Sequence, residues 1–174
     1  GDGRWFVAAV QTARPFARPP GGKRALVGMH HGAGNGTVDE QAALVRELGF
    51  DGLAWELDRL SEARAACEVR GGDVYSAYGV IDLSVGAAAS LPPLRAALQA
   101  LAGGPGMLWL ALRHDGLAPR DAAGDDQAVS ALTALLRDAD AAGVEIALYP
   151  HHEFWLETAD DALRLCAKLD HPRL

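Results

Sequence analysis

The chain has 174 residues, enough for one domain with a real hydrophobic core. Hydrophobic residues make up 49% and charged residues 22%, an ordinary globular balance. The 16 basic and 23 acidic residues leave a net charge of −7, which argues against nucleic acid as the main partner, because phosphate binding needs a basic surface.

No stretch approaches the ~20 apolar residues of a membrane span, so no membrane partner is expected. The start, residues 1–23, has no signal-peptide pattern. Pro15, Pro19, Pro20, Gly21 and Gly22 punctuate it, and it reads as an extension or linker. The folded domain is expected over residues 24–174. A cytoplasmic location is slightly favoured, with export left open. Cys67 and Cys166 fall inside predicted helices and show neither CxxC nor Cys/His zinc spacing, so they read as reduced thiols.

From residue 25, short apolar runs alternate with helical patterns five times, the signature of βα units and a parallel sheet. The first strand is expected at Ala25–Met29, followed by a glycine-rich loop. Thr37 and Glu40 have capping-box spacing, so a helix should start there. The second strand is expected at Gly52–Glu56, with a helix from about Ser61 to Val69. The third strand runs from Val74 to Leu83. Leu94, Ala97, Leu98 and Leu101 then repeat at i, i+3, i+4 and i+7, an amphipathic helix. The fourth strand is Met107–Leu112, and its helix carries Val129, Leu132, Leu135, Leu136 and Ala139 up to Gly143. The fifth is Val144–Tyr149, with a helix capped at Thr158 and Asp161.

The strands begin near 25, 52, 74, 107 and 144, about 30 residues apart, close to the ~31 per unit of a (β/α)₈ barrel. A five-stranded doubly wound sheet would show the same alternation. The first strand has no GxGxxG after it, which weakens a dinucleotide-binding version.

In both folds ligands bind at the carboxyl ends of the strands. The residues expected there are His30 and His31, Glu56, Tyr78 with Tyr75 and Asp82, then Arg113, His114 and Asp115, and finally Tyr149, His151, His152 and Glu153. Only His171 among the six histidines lies elsewhere. Imidazole ligates metals and transfers protons near neutral pH. Strand parity turns Val144, Ile146 and Leu148 toward the helices and Tyr149 and His151 toward the mouth. Likewise Leu53 and Trp55 face the helices, and Glu56 faces inward. The loop His31–Gly36 has the glycine content and position either of a flexible turn, the favoured reading, or of a cradle for an anion such as a phosphate, and it lacks the Lys and Ser/Thr of a P-loop. Trp155, just past the fifth strand, reads as pocket wall. No GxSxG elbow is present for a Ser-His-Asp hydrolase.

The stretch Glu40-Gln-Ala-Ala-Leu-Val-Arg-Glu-Leu-Gly-Phe-Asp-Gly-Leu53 resembles the step from first helix to second strand in xylose isomerase-like sugar isomerases and epimerases. Ala141-Ala-Gly-Val-Glu-Ile-Ala-Leu-Tyr-Pro-His151, followed by Glu157-Thr-Ala-Asp-Asp-Ala-Leu163, resembles their fifth unit. The resemblance implies an α/β fold, a TIM-type barrel of which this chain carries about five βα units. It also implies a divalent metal (Mn, Mg, Co or Zn) near the barrel top and proton transfer between adjacent carbons of a small sugar or polyol. On this reading Glu56, His151 and Glu153 are the catalytic and metal-ligand candidates. His30, His31, Tyr78, His114, Tyr149 and Trp155 are the substrate-binding candidates. The sequence departs from the family at the end of strand five, where Glu-Asn-His is common and Tyr149-Pro150-His151 stands here. A phenol is a poor base and an unusual ligand. Two other functions stay open: a non-catalytic carbohydrate-binding barrel that lost the metal carboxylate, and a metal-dependent hydrolase or lyase on the same scaffold. If the chain ends at Leu174, its open strand edge leads to an expectation of self-association.

Overall fold

The computed structural model describes residues 25–174; the linker expected over residues 1–23 lies outside the described residues. Five strands form one sheet: β1 (Val27–Met29), β2 (Gly52–Glu56), β3 (Asp73–Asp82), β4 (Met107–Arg113) and β5 (Glu145–Leu148). Five helices alternate with them: α1 (Val38–Glu47), α2 (Leu60–Glu68), α3 (Ala87–Leu101), α4 (Asp125–Ala142) and α5 (Ala159–Leu169). The strand order is β1-β2-β3-β4-β5, and every pairing is parallel. A doubly wound sheet reverses its order at a switch point. This sheet never does, so it is wound as a barrel wall, and that settles the choice the strand spacing left open.

The local reasons are those visible in the sequence. Thr37 caps α1 in a closed box: its N–H donates to Glu40 Oε2 at 2.7 Å, and the Glu40 N–H donates to Thr37 Oγ1 at 3.2 Å. Thr158 and Asp161 repeat the device on α5. Gly143 ends α4 at φ 70°, a backbone conformation open to glycine without strain. One element starts earlier than the leucine periodicity shows. α3 begins at Ala87 and carries Pro92 and Pro93 in its second turn, where two intrahelical donors are missing.

The core is the layer between sheet and helices. Leu53, Leu108, Leu110, Leu112 and Ile146 enter it from the strands; Ala42, Ala63, Leu94, Leu98, Leu132 and Leu165 enter from the helices. This alternation fixes the sheet's faces: residues between these positions point to the concave side, away from the helices. At the outer edge of β5, the Ile146 N–H donates to the Arg173 carbonyl at 2.7 Å. No helix among the described residues is long and apolar enough to cross a membrane.

One buried ionic group ties the last two helices together. Asp125, at the start of α4, is 2% exposed and accepts from Arg164 and from Lys168 on α5. Arg164 also donates to Asp161 at 2.6 Å. Burial pushes the Asp125 carboxyl up, but the hydrogen bonds from Lys168 and Arg164 outweigh it and hold it below the ordinary 3.8. Such a group stabilises the fold fully above the ordinary value and loses that contribution as pH falls through the lowered one. Asp125→Ala removes the shared partner of Arg164 and Lys168, leaves Arg164 with Asp161 alone, and should cost about 1–2 kcal/mol in urea unfolding at neutral pH. The gap between variant and parent should shrink as pH drops below about 4.

Candidate functional site

The parallel register lines up one row of side chains on the concave face. Glu56 pairs with Tyr78, Tyr78 with Trp109, and Trp109 with Ala147. Register partners point the same way, so these residues share a face, and Tyr149 and His151 follow Ala147 with the same parity. Ring contacts bear this out. Tyr149 stacks on Trp109 with centroids 5.9 Å apart and planes 2° apart, and it meets Tyr78 edge-on at 5.6 Å. Tyr149 remains 42% exposed, so the stack is an accessible aromatic surface. Burial raises the Tyr78 phenol above its usual pKa, with Tyr149 and Glu56 adding to the effect, so it stays a neutral hydrogen-bonding group.

At the β1 and β2 end of this row lies a polar cluster. His30 and His31 leave β1 in a short 3-10 turn, His30–Gly32, and Glu56 is the last residue of β2. His31 Nε2 stands 3.1 Å from Glu56 Oε1. The His30 ring lies 3.8 Å from the His31 ring and 4.6 Å from Trp55, centroid to centroid. His30, His31 and Glu56 each offer a ligand atom, all within 4.8 Å of one another. Burial holds the His30 imidazole below its ordinary pKa, His31 adds to this, and Glu56 partly offsets it. His30 is therefore a neutral imidazole near pH 7, the form that ligates metals.

A cleft of about 180 Å³ opens beside the cluster, lined by His30, Gly36, Val38, Gln41, Trp55, Glu56, Asp58 and Arg59. Gln41 is 7% exposed; its amide N–H donates to the Gly34 carbonyl at 2.7 Å, while Oε1 has no partner. Sequence reasoning passed Gln41 over. The signal was a polar residue on the stripe Val38, Gln41, Ala42, Val45 that α1 buries.

The remaining sequence candidates take different positions. Glu56 groups with His30 and His31, and not with His151 and Glu153 as the metal-ligand expectation had it. Three strand spacings separate β2 from β5, roughly 14 Å along the sheet. His151 closes its own turn: Nδ1 lies 2.8 Å from the His152 carbonyl, and its ring packs on Phe154 at 4.3 Å. A carbonyl only accepts, so Nδ1 is the donor in this contact. Glu153 has a side chain 84% exposed at φ 65°, beside His152. Trp155 is core and not pocket wall. It is 1% exposed, its indole N–H donates to the Asp121 carbonyl at 2.7 Å, and its ring lies so close to Gly124 that a Cβ there would come within 2.7 Å. Both His114 nitrogens serve the β4–α4 loop, Nδ1 accepting from the Gly116 N–H and Nε2 reaching Gln127 Oε1. At the start of α1 the Thr37 and Glu40 amides are taken by the capping box.

No family model and no curated protein matches the chain. Solved structures do. The 3-keto-D-glucoside 4-epimerase YcjR from E. coli superposes with a TM-score of 0.68 at 21% identity, over 86% of this chain and 66% of that one. D-psicose 3-epimerase from Clostridium cellulolyticum H10, solved with D-tagatose, gives 0.67 at 14%, over 86% and 61%. The IOLI protein with a bound zinc atom gives 0.60 at 13%, over 86% and 60%. The chain has the fold of the xylose isomerase-like TIM barrels. It forms five βα units of that barrel and spans about three fifths to two thirds of the length of these structures. Among the described residues, the end of β5 offers a stacked phenol, Tyr149, and the three side chains able to present metal-ligand atoms to one another gather at β1 and β2.

The His30 assignment is open to direct titration. By NMR its ring should titrate with a midpoint below 6.5, and Glu56→Gln should move the midpoint lower still, because Glu56 is the charge that raises it.

Proposed function

We propose that this chain belongs to an isomerase or epimerase acting on a small sugar or polyol by metal-assisted proton transfer. The observation that carries the reading is the row across the concave face. It has an accessible aromatic surface at Trp109 and Tyr149 and a cluster of polar groups at Glu56 and His31, with Glu56, Tyr78 and Trp109 in direct register. The apolar face of a sugar stacks on aromatic rings, while its hydroxyls need donors and acceptors beside them. The match to epimerase structures supports the choice of substrate class through the fold.

In this proposal the sugar ring lies on Trp109 and Tyr149, with its oxygens toward His31 and Glu56. The neutral Tyr78 hydroxyl sits between the two regions as a hydrogen-bond partner. Neutral His151, whose Nδ1 donates to the His152 carbonyl, takes at Nε2 the proton from the carbon beside the sugar carbonyl. A divalent cation held at the polar end by His30, His31 and Glu56 would bind and orient the sugar hydroxyls that reach it. Glu153, solvated and remote from the cluster, is left to exchange that proton with water, and His151 returns a proton to the adjacent carbon to complete the isomerisation.

The test is exchange of carbon-bound hydrogen in D2O across a panel of ketoses and aldoses. The parent should wash deuterium into one position of one sugar. His151→Gln should reduce the rate about 100-fold or more, and Tyr149→Ala should mainly weaken binding. Tight sugar binding with no exchange under any metal would instead favour a carbohydrate-binding barrel without turnover, the reading that Tyr149 at the family's carboxylate position also suits.

A further inference from the structure

The sugar reading leaves two polar atoms unexplained. Gln41 Oε1 and His30 Nδ1 are both buried without a hydrogen-bond partner inside 3.5 Å, although the His30 ring also feels the Ala54 carbonyl, and both residues line the cleft that Glu56 also lines. Buried polar atoms in native proteins are almost always paired. Leaving one unpaired costs about 1–3 kcal/mol. Two in one small cleft mark a place where something polar binds.

We infer that His30, His31 and Glu56 form a binding site for a zinc-class divalent cation at the mouth of β1 and β2, with Gln41 accepting a hydrogen bond from water on that cation. The site lies away from β5, where the family carboxylate would stand. The donor chemistry selects the ion class. Two imidazoles and one carboxylate suit zinc or cobalt, whereas magnesium and calcium take oxygen ligands. Three protein ligands leave a fourth position for water, as in catalytic zinc sites. The spacing is within reach: ligand atoms that lie within 4.8 Å of one another must come to about 3.4 Å to share one tetrahedral ion at ~2.1 Å bonds, a movement of up to about 1.4 Å that side-chain rotation can supply. His31 and Glu56 already stand 3.1 Å apart and are half-exposed or more, so they are free to make that movement. His30 is braced by Trp55, whose own indole N–H donates to the Asp58 carbonyl at 2.7 Å and ties the ring to the cleft wall.

Gln41 supplies the argument that the histidines alone would not. Its amide N–H is committed to the Gly34 carbonyl, which fixes the side chain and leaves Oε1 as the free acceptor. The cleft is lined by Glu56 and Asp58 and by one guanidinium, Arg59, which is committed to the Glu62 carboxylate, so among the described residues no donor reaches Gln41 Oε1. A cation that carries water provides one.

This inference takes its purpose from the sugar reading, but its test does not depend on it. The untagged protein is freed of metal and titrated with Co²⁺ in the absence of sugar, following the visible absorption of the bound ion, with Zn²⁺ as competitor. One equivalent of cobalt should bind and be displaced by zinc. Gln41→Leu should weaken binding about tenfold while keeping the stoichiometry. His31→Ala and Glu56→Gln should weaken it further, and His171→Gln should leave it unchanged. Circular dichroism of each variant confirms that the fold is kept, and Glu56→Gln preserves shape if His31→Ala does not fold. Cobalt bound equally well by the Glu56 and Gln41 variants, or not bound by the parent, would overturn the inference and leave an ordered water as the partner of Gln41. Metal uptake without deuterium exchange would overturn only the sugar reading, and exchange without metal uptake only the site.

Discussion

The constraint that the rest of the structure depends on is parallel pairing in unbroken sequence order. Each strand hydrogen-bonds the next one in the chain, and each return is made by a helix on the same face. All five carboxyl ends therefore lie on one side, and everything the chain presents for chemistry is delivered there. His30 and His31 follow β1 directly, and Glu56 closes β2. They meet because Met29 and Ala54 are register partners, so the two strands end side by side.

The same pairing decides what the concave face contains. The helix-facing rows are leucine-rich and seal the core, while the alternate rows collect Glu56, Tyr78 and Trp109 in direct register. Tyr149 then has a clear physical role. At the end of β5 its ring covers Trp109 and meets Tyr78, extending an aromatic surface across β3, β4 and β5. The surface ends near His151, whose Nδ1 donates to the His152 carbonyl. The buried Asp125–Arg164–Lys168 group holds α4 and α5 together behind β5, far from this face.

Much of this was legible in the sequence. Hydrophobic runs, capping residues and spacing gave all five βα units, and parity placed Glu56, Tyr149 and His151 on the correct face. Strand order was not legible, because barrel walls and doubly wound sheets share one alternation. What failed was proximity. Glu56, His151 and Glu153 all sit at strand ends, but parity carries no information on how many strands lie between them. Trp155 was misread because a tryptophan after a strand looks like a wall; only Gly124 and the Asp121 carbonyl, both remote in sequence, show it to be core. Gln41 was missed although its place on a buried stripe was the signal.

The central claim is the strand order, since both the polar cluster and the aromatic row follow from it. Interstrand amide NOEs in deuterated protein test it directly. The account predicts that β2 is flanked on both sides, with contacts from Ala54 toward Met29 and toward Ser76. Contacts joining β1 to β3, as in a doubly wound sheet of order 2-1-3-4-5, would contradict it and separate Glu56 from the environment described here.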